Sequence, residues 1–110
     1  MNNKTQRRLC RMLEFAKKVE NRTKNISLDD FIQDELLQEA VMYCIGQIGE
    51  IATNIPDEEQ EKYPEIYWHQ MISLRNRLFH DYEEIVLSRV FEITQEPISQ
   101  LVQILEEILK

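Results

Sequence analysis

Residues 74–82, Leu-Arg-Asn-Arg-Leu-Phe-His-Asp-Tyr, concentrate the side chains that could do chemistry. Arg75 stands in an apolar stripe, with Met71 and Ile72 one turn before it and Leu78 and Phe79 one turn after. A permanently charged guanidinium there needs an acidic partner, a ligand or an interface. His80 follows five residues on and Tyr82 seven. Arginine and histidine together suit phosphoryl chemistry. The guanidinium binds phosphate oxygens two at a time and offsets the charge that builds in the transition state. An imidazole moves protons near neutral pH. On RNA, such a pair lets the 2′-hydroxyl attack the adjacent phosphorus and leaves a cyclic phosphate, with no divalent ion required.

The elements that carry these groups constrain them. At about 100° per residue on a helix, Tyr82 points nearly the same way as Arg75, whereas His80 lies about 140° away. Arg75 and His80 share a site only if the helix distorts near residues 79–81, if the arginine wraps round, or if a second chain completes the site. A two-fold axis would supply each residue twice. The bare Arg-x4-His spacing arises often by chance and carries little weight alone. Plainer readings stand beside each role: Arg75 as a buried ion pair with Glu50, His80 as a surface residue ending a helix turn, Tyr82 as a packing aromatic. His69 falls on the polar side with no companion. Cys10 and Cys44 have no metal-ligand spacing and read as inert thiols, so neither a metal nor a cofactor is expected.

The rest of the chain reads as helix. In residues 4–23, Leu9, Met12, Leu13, Ala16 and Val19 make an apolar side, with Lys4, Arg8, Arg11, Lys18 and Arg22 nearly opposite. Ser27, followed three residues later by Asp30, is a start signal for a short helix through Phe31 and Ile32. A long helix follows, with Leu36, Leu37, Ala40, Val41, Cys44, Ile48, Ile51, Ala52 and Ile55 in one stripe. Gly46 and Gly49 lie off that stripe and mark close approach by another helix, either of this chain or of a partner chain. Residues 57–62 form a short acidic segment stopped at Tyr63-Pro64. Residues 65–82 are helical, with Trp68, Met71, Leu74, Leu78 and Phe79 on one face. A last helix spans about 86–109, kinked or briefly broken at Pro97. The expected fold is all-α, an antiparallel bundle of four main helices plus one or two short ones, a single domain over residues 1–110.

Composition agrees. The 110 residues fit one core. Two Gly and three Pro supply too few turns for an all-β fold. No apolar run approaches a membrane span, and the first residues lack a secretory pattern, so a cytoplasmic, membrane-free protein is expected. The net charge of −7 argues against a dedicated nucleic-acid coat. That average hides an asymmetry: residues 1–24 hold eight bases against two acids, net +6, and residues 25–110 hold five bases against eighteen acids, net −13. The basic segment is either a solvated helix face or an anion-docking surface.

The stretch Arg75-Asn76-x-Leu78-x-His80-x-Tyr82 is similar to the RNxLxHxY signature of the HepT-like branch of HEPN-domain proteins. Residues 63–72, beginning Tyr63-Pro64-Glu65-Ile66, resemble that branch's approach to the motif. Ile48-Gly49-Glu50 resembles its IGEA element, with Ile51 where alanine is usual. The helix over 90–109, with its internal Pro97, fits the branch's last helix, so the resemblance covers residues 26–110. It implies an all-α homodimer whose two motifs meet in a cleft, acting as a metal-independent endoribonuclease toxin. The implied antitoxin is a minimal nucleotidyltransferase that transfers AMP to Tyr82. Carried over, Arg75 and His80 are catalytic, and Asn76 orients His80 or a phosphate. Arg77 is a possible RNA contact, as are Arg8, Arg11 and Lys18 on the basic face. AMP on Tyr82 would set bulk and negative charge beside the pair and block RNA. Two other readings compete: a non-catalytic helical module that holds a nucleotidyltransferase or a nucleotide, and a structural helical dimer.

Overall fold

The structure, a computed structural model, describes residues 2–110, the side chain of Tyr82 excepted. Among the described residues it has seven α-helices, one 3-10 turn and no strand. Helix α1 (Asn3–Thr23) begins where the Asn2 carboxamide oxygen accepts from the backbone N–H groups of Lys4 and Thr5. This satisfies two first-turn donors that have no partner within the helix. The helix buries Leu9, Met12, Phe15, Ala16 and Val19. Leu13 is only half-buried, and Phe15, which belongs to the basic side, is covered. The buried arc is therefore rotated toward the cations, which flank the seam instead of standing opposite it.

Asn25, at φ 61°, turns the chain after α1, a conformation asparagine tolerates better than most residues. Helix α2 (Leu28–Gln33) opens on the expected Ser27–Asp30 pair, which forms a reciprocal capping box. It buries Phe31 against Phe91, ring centroids 5.5 Å apart. The buried Gln38 donates to the carbonyls of Phe31 and Ile32 at 2.8 and 2.9 Å, closing the end of α2.

Helix α3 (Glu35–Thr53) is central and packs on α1 and on α5. Of its expected stripe Val41, Cys44, Ile48 and Ala52 are buried and Ile51 is half-buried, but Leu36, in the first turn, is 80% exposed. Leu36 lies within about 20° of the outward-facing Tyr43, and Leu37 takes the inward direction instead. Helix α4 (Asp57–Gln60) is short and brings Glu59 into a buried position. The Glu59 carboxylate accepts from Lys62 Nζ at 2.7 Å. That hydrogen bond chiefly holds its pKa below the ordinary carboxylate value, with the Thr5 hydroxyl assisting against burial. Among the described residues its Oε1 has no partner of good geometry.

Helix α5 (Trp68–His80) is shorter at both ends than the expected 65–82. Ile66 is buried and holds the preceding segment in the core, and the Trp68 indole N–H donates to the carbonyls of Gln60 and Tyr63. At the other end Asp81 leaves helical geometry, at φ −124° and ψ 34°, and Tyr82–Glu84 form the 3-10 turn. The expected last helix is broken, not kinked: α6 (Leu87–Gln95) and α7 (Pro97–Ile108) meet at Glu96. Pro97 occupies the first turn of α7, where its missing N–H costs nothing. Helix α7 packs on α1 and α6. Between α5 and α7 lies an apolar groove of about 510 Å³, lined by Ile45, Ile48, Met71, Leu74, Leu101 and Ile104 among others. No helix among the described residues is long and apolar enough to cross a membrane.

Candidate active site

The glycines make the site possible. A Cβ at Gly49 would meet the Cβ of Arg75 and stand 2.6 Å from the Met71 carbonyl oxygen. A Cβ at Gly46 would meet the Phe79 ring at 3.0 Å. The close approach read from these glycines is thus that of α5 in the same chain. It brings Arg75 over Glu50, which lies one residue beyond Gly49 on α3.

Arg75 is held on three sides. Its Nε donates to Glu50 Oε2 at 2.8 Å, and its Nη2 stands 2.6 Å from the same oxygen in an ion pair. Its Nη1 donates to Asn76 Oδ1 at 2.7 Å. Its guanidinium carbon stands 4.6 Å from the centroid of the Phe79 ring, a cation–π contact. A guanidinium has five N–H donors, so at least two remain. The side chains of Arg75 and Glu50 are 23% and 38% accessible. The pair is therefore reachable by an anion, and its Coulombic gain is moderated by solvent.

The ion pair read as the plainer role of Arg75 is present, and it also orients the group. Asn76 is exposed and faces Arg75 with its oxygen, not His80. His80 is the last residue of α5 and exposed, and its side chain has no hydrogen bond or ion pair to any described residue. Because α5 is regular through His80, the divergence of about 140° from Arg75 stands. Within one chain no contact joins the two. Arg77 is exposed and lines the apolar groove, on the side of α5 away from Arg75. The backbone of Tyr82 lies in the 3-10 turn, and its side chain, the expected modification site, is outside the described residues.

On α1, Arg11 and Lys18 are exposed and Arg8 is half-buried. The guanidinium of Arg11 and the ammonium of Lys18 stand 5.1 and 5.4 Å from the centroid of Phe15. Tyr43, which the sequence gives no reason to single out, packs edge-on to Phe15 at 6.2 Å. Arg22 donates to the Cys44 sulfur at 3.9 Å. Burial raises the Cys44 pKa, partly countered by the Arg22 and Lys18 charges. Among the described residues no three His, Cys, Asp or Glu side chains stand close enough to hold a metal ion.

Fold and site together define a small all-helical protein that presents an oriented arginine and an exposed histidine from one helix. Residues 12–108 match the Ribonuclease HepT-like family. The chain is 31% identical over 99 residues to putative RNase MJ1216 of Methanocaldococcus jannaschii, covering 90% of this chain and 82% of that protein. It is 32% identical over 89 residues to putative RNase TTE0752 of Caldanaerobacter subterraneus, covering 81% of this chain and 80% of that protein. It is 32% identical over 88 residues to a protein of Thermococcus cleftensis named probable ribonuclease HepT, covering 80% of each. No solved structure matches the chain significantly. The chain belongs to the HepT-like ribonuclease family of HEPN-domain proteins.

Proposed function

We propose that the chain is a metal-independent endoribonuclease, the toxin of a toxin–antitoxin pair, acting as a homodimer in the cytoplasm. One observation carries the reading: Arg75 is fixed by Glu50, Asn76 and Phe79 with N–H donors to spare. Those donors bind the scissile phosphate. His80 takes the proton of the 2′-hydroxyl as its oxygen attacks phosphorus. The bond to the 5′-oxygen breaks, that oxygen takes up a proton, and a 2′,3′-cyclic phosphate remains. Since Arg75 and His80 of one chain diverge, each site takes its arginine from one subunit and its histidine from the other, the two helical bundles being related by a two-fold axis.

The antitoxin is a minimal nucleotidyltransferase. It joins the Tyr82 oxygen to the α-phosphorus of ATP, with pyrophosphate leaving, and the added charge repels RNA from the cleft. This step rests on the family resemblance. A second reading, a non-catalytic module binding a nucleotidyltransferase or a nucleotide, is favoured by the Glu50 carboxylate that already offsets Arg75.

Incubating the purified protein with RNA in EDTA separates the two. Cleavage to cyclic-phosphate ends, lost in both Arg75→Ala and His80→Ala, supports the nuclease. RNA binding with no cleavage removes it. A mass gain of one or more AMP units on co-expression with a cognate minimal nucleotidyltransferase, absent in Tyr82→Phe, supports the modification site.

A further inference from the structure

We propose that Tyr43 is a stacking platform for a base of single-stranded RNA, with Arg11, Lys18 and Arg22 as the adjoining phosphate rail. The proposal rests on the ribonuclease reading and adds the surface that holds the substrate beside the scissile phosphate. Tyr43 is 62% exposed in mid-helix, so most of this large aromatic faces solvent. Its ring is nonetheless steadied by the edge-on contact with Phe15, so a base stacking on it meets a fixed surface. Nucleobases stack on such rings regardless of sequence.

The cations beside it are short of acids. Lys18 and Arg22 have no ion pair among the described residues. Arg11 has only Glu14, at 3.6 Å with both side chains more than 60% exposed, a pairing that contributes little. At about 100° per residue, Arg11, Lys18 and Arg22 fall within about 40° of one another around α1. They run along the edge of α1 that borders Tyr43 and Cys44 on α3.

The same surface holds Arg75. Tyr43 and Glu50 are seven residues apart on α3, so they point nearly the same way, about 10 Å apart along the axis. A strand whose phosphate is held at Arg75 therefore passes Tyr43 within reach of a neighbouring nucleotide. A second copy of the chain is the poorer occupant. A two-fold contact centred on this patch would set the three cations against their own counterparts. A polyanion meets them with opposite charge.

The test uses the full chain and a labelled single-stranded RNA, 2′-O-methylated throughout so that it cannot be cut, read by fluorescence anisotropy across a salt series. Tyr43→Ala is expected to weaken binding about tenfold without changing the salt slope, and Tyr43→Phe to restore it. Lys18→Ala is expected to lower the salt slope by about one and to weaken all sequences alike. Light scattering on each variant should give the wild-type mass. Wild-type affinity in Tyr43→Ala overturns the platform while leaving the nuclease intact. A Tyr43→Ala mass that falls below wild type overturns it in favour of a subunit contact. If the wild type binds no RNA at all, the platform and the ribonuclease reading fail together.

Discussion

Gly49→Ala tests how α5 is seated. In an open helix this change gains about 1 kcal/mol of helix propensity. Here the new methyl would collide with the Arg75 Cβ and stand 2.6 Å from the Met71 carbonyl oxygen. Both atoms are fixed by the α5 backbone, so no rotamer change relieves the contact and the seam between α3 and α5 must open. Overpacking of this kind costs about 1–3 kcal/mol. With immovable neighbours the upper end applies, and the net loss is about 2 kcal/mol after the propensity gain. At roughly 4 °C per kcal/mol for a domain of this size, the melting temperature falls by about 8 °C. Gly46→Ala is the control. Its methyl would meet the Phe79 ring at 3.0 Å, and that ring, 50% exposed, can swing away. Gly46→Ala should melt within a few degrees of wild type, or slightly above it. Thermal unfolding followed by circular dichroism reads both. A Gly49→Ala protein as stable as wild type, or a Gly46→Ala protein equally damaged, would refute the seating of α5 on α3.

Three further outcomes follow from the side-chain contacts. Glu50→Gln keeps the shape but weakens the hold on Arg75; RNA cleavage should fall about tenfold while stability changes by about 1 kcal/mol or less, since the pair is partly exposed. Unchanged cleavage would show that Glu50 does not position the arginine. Glu59 has a folded pKa below its unfolded value, so its contribution to stability is complete above the ordinary carboxylate pKa and is lost as pH falls through the folded one. Urea midpoints of wild type and Glu59→Gln should accordingly converge in acid, and a difference that persists or widens there contradicts the assignment. Cys10 is exposed and Cys44 is buried with a raised pKa; iodoacetamide at neutral pH should modify Cys10 in the native protein and Cys44 only after unfolding, as peptide mass mapping would show.

What the sequence reveals depends on how local each signal is. The capping box at Ser27 and Asp30 is legible because both partners lie within four residues. The helix break at Pro97 is legible because proline acts on its own turn, although sequence does not decide between kink and break. Gly46 and Gly49 announce a close approach, yet the helix that approaches is set by tertiary packing, and it belongs to the same chain. Phe15 lies among cations on the helical wheel. Its burial becomes evident only once Tyr43 and the stems of Arg11 and Lys18 are seen around it. Glu50 can be named from sequence as an ion partner for Arg75. The role of Asn76 as the third hold on that guanidinium depends on a rotamer that spacing alone does not specify. Tyr43 carries no motif; its exposure is what distinguishes it, and exposure is a property of the folded chain.

Subunit mixing bears most directly on a site built from two chains. Arg75→Ala and His80→Ala proteins, each inactive on RNA in EDTA, would be unfolded together and refolded into mixed dimers. If arginine and histidine come from different subunits, each mixed dimer rebuilds one intact site, and the mixture should recover about a quarter of wild-type cleavage. A mixture that forms mixed dimers by mass and remains as inactive as its parents would contradict the shared site.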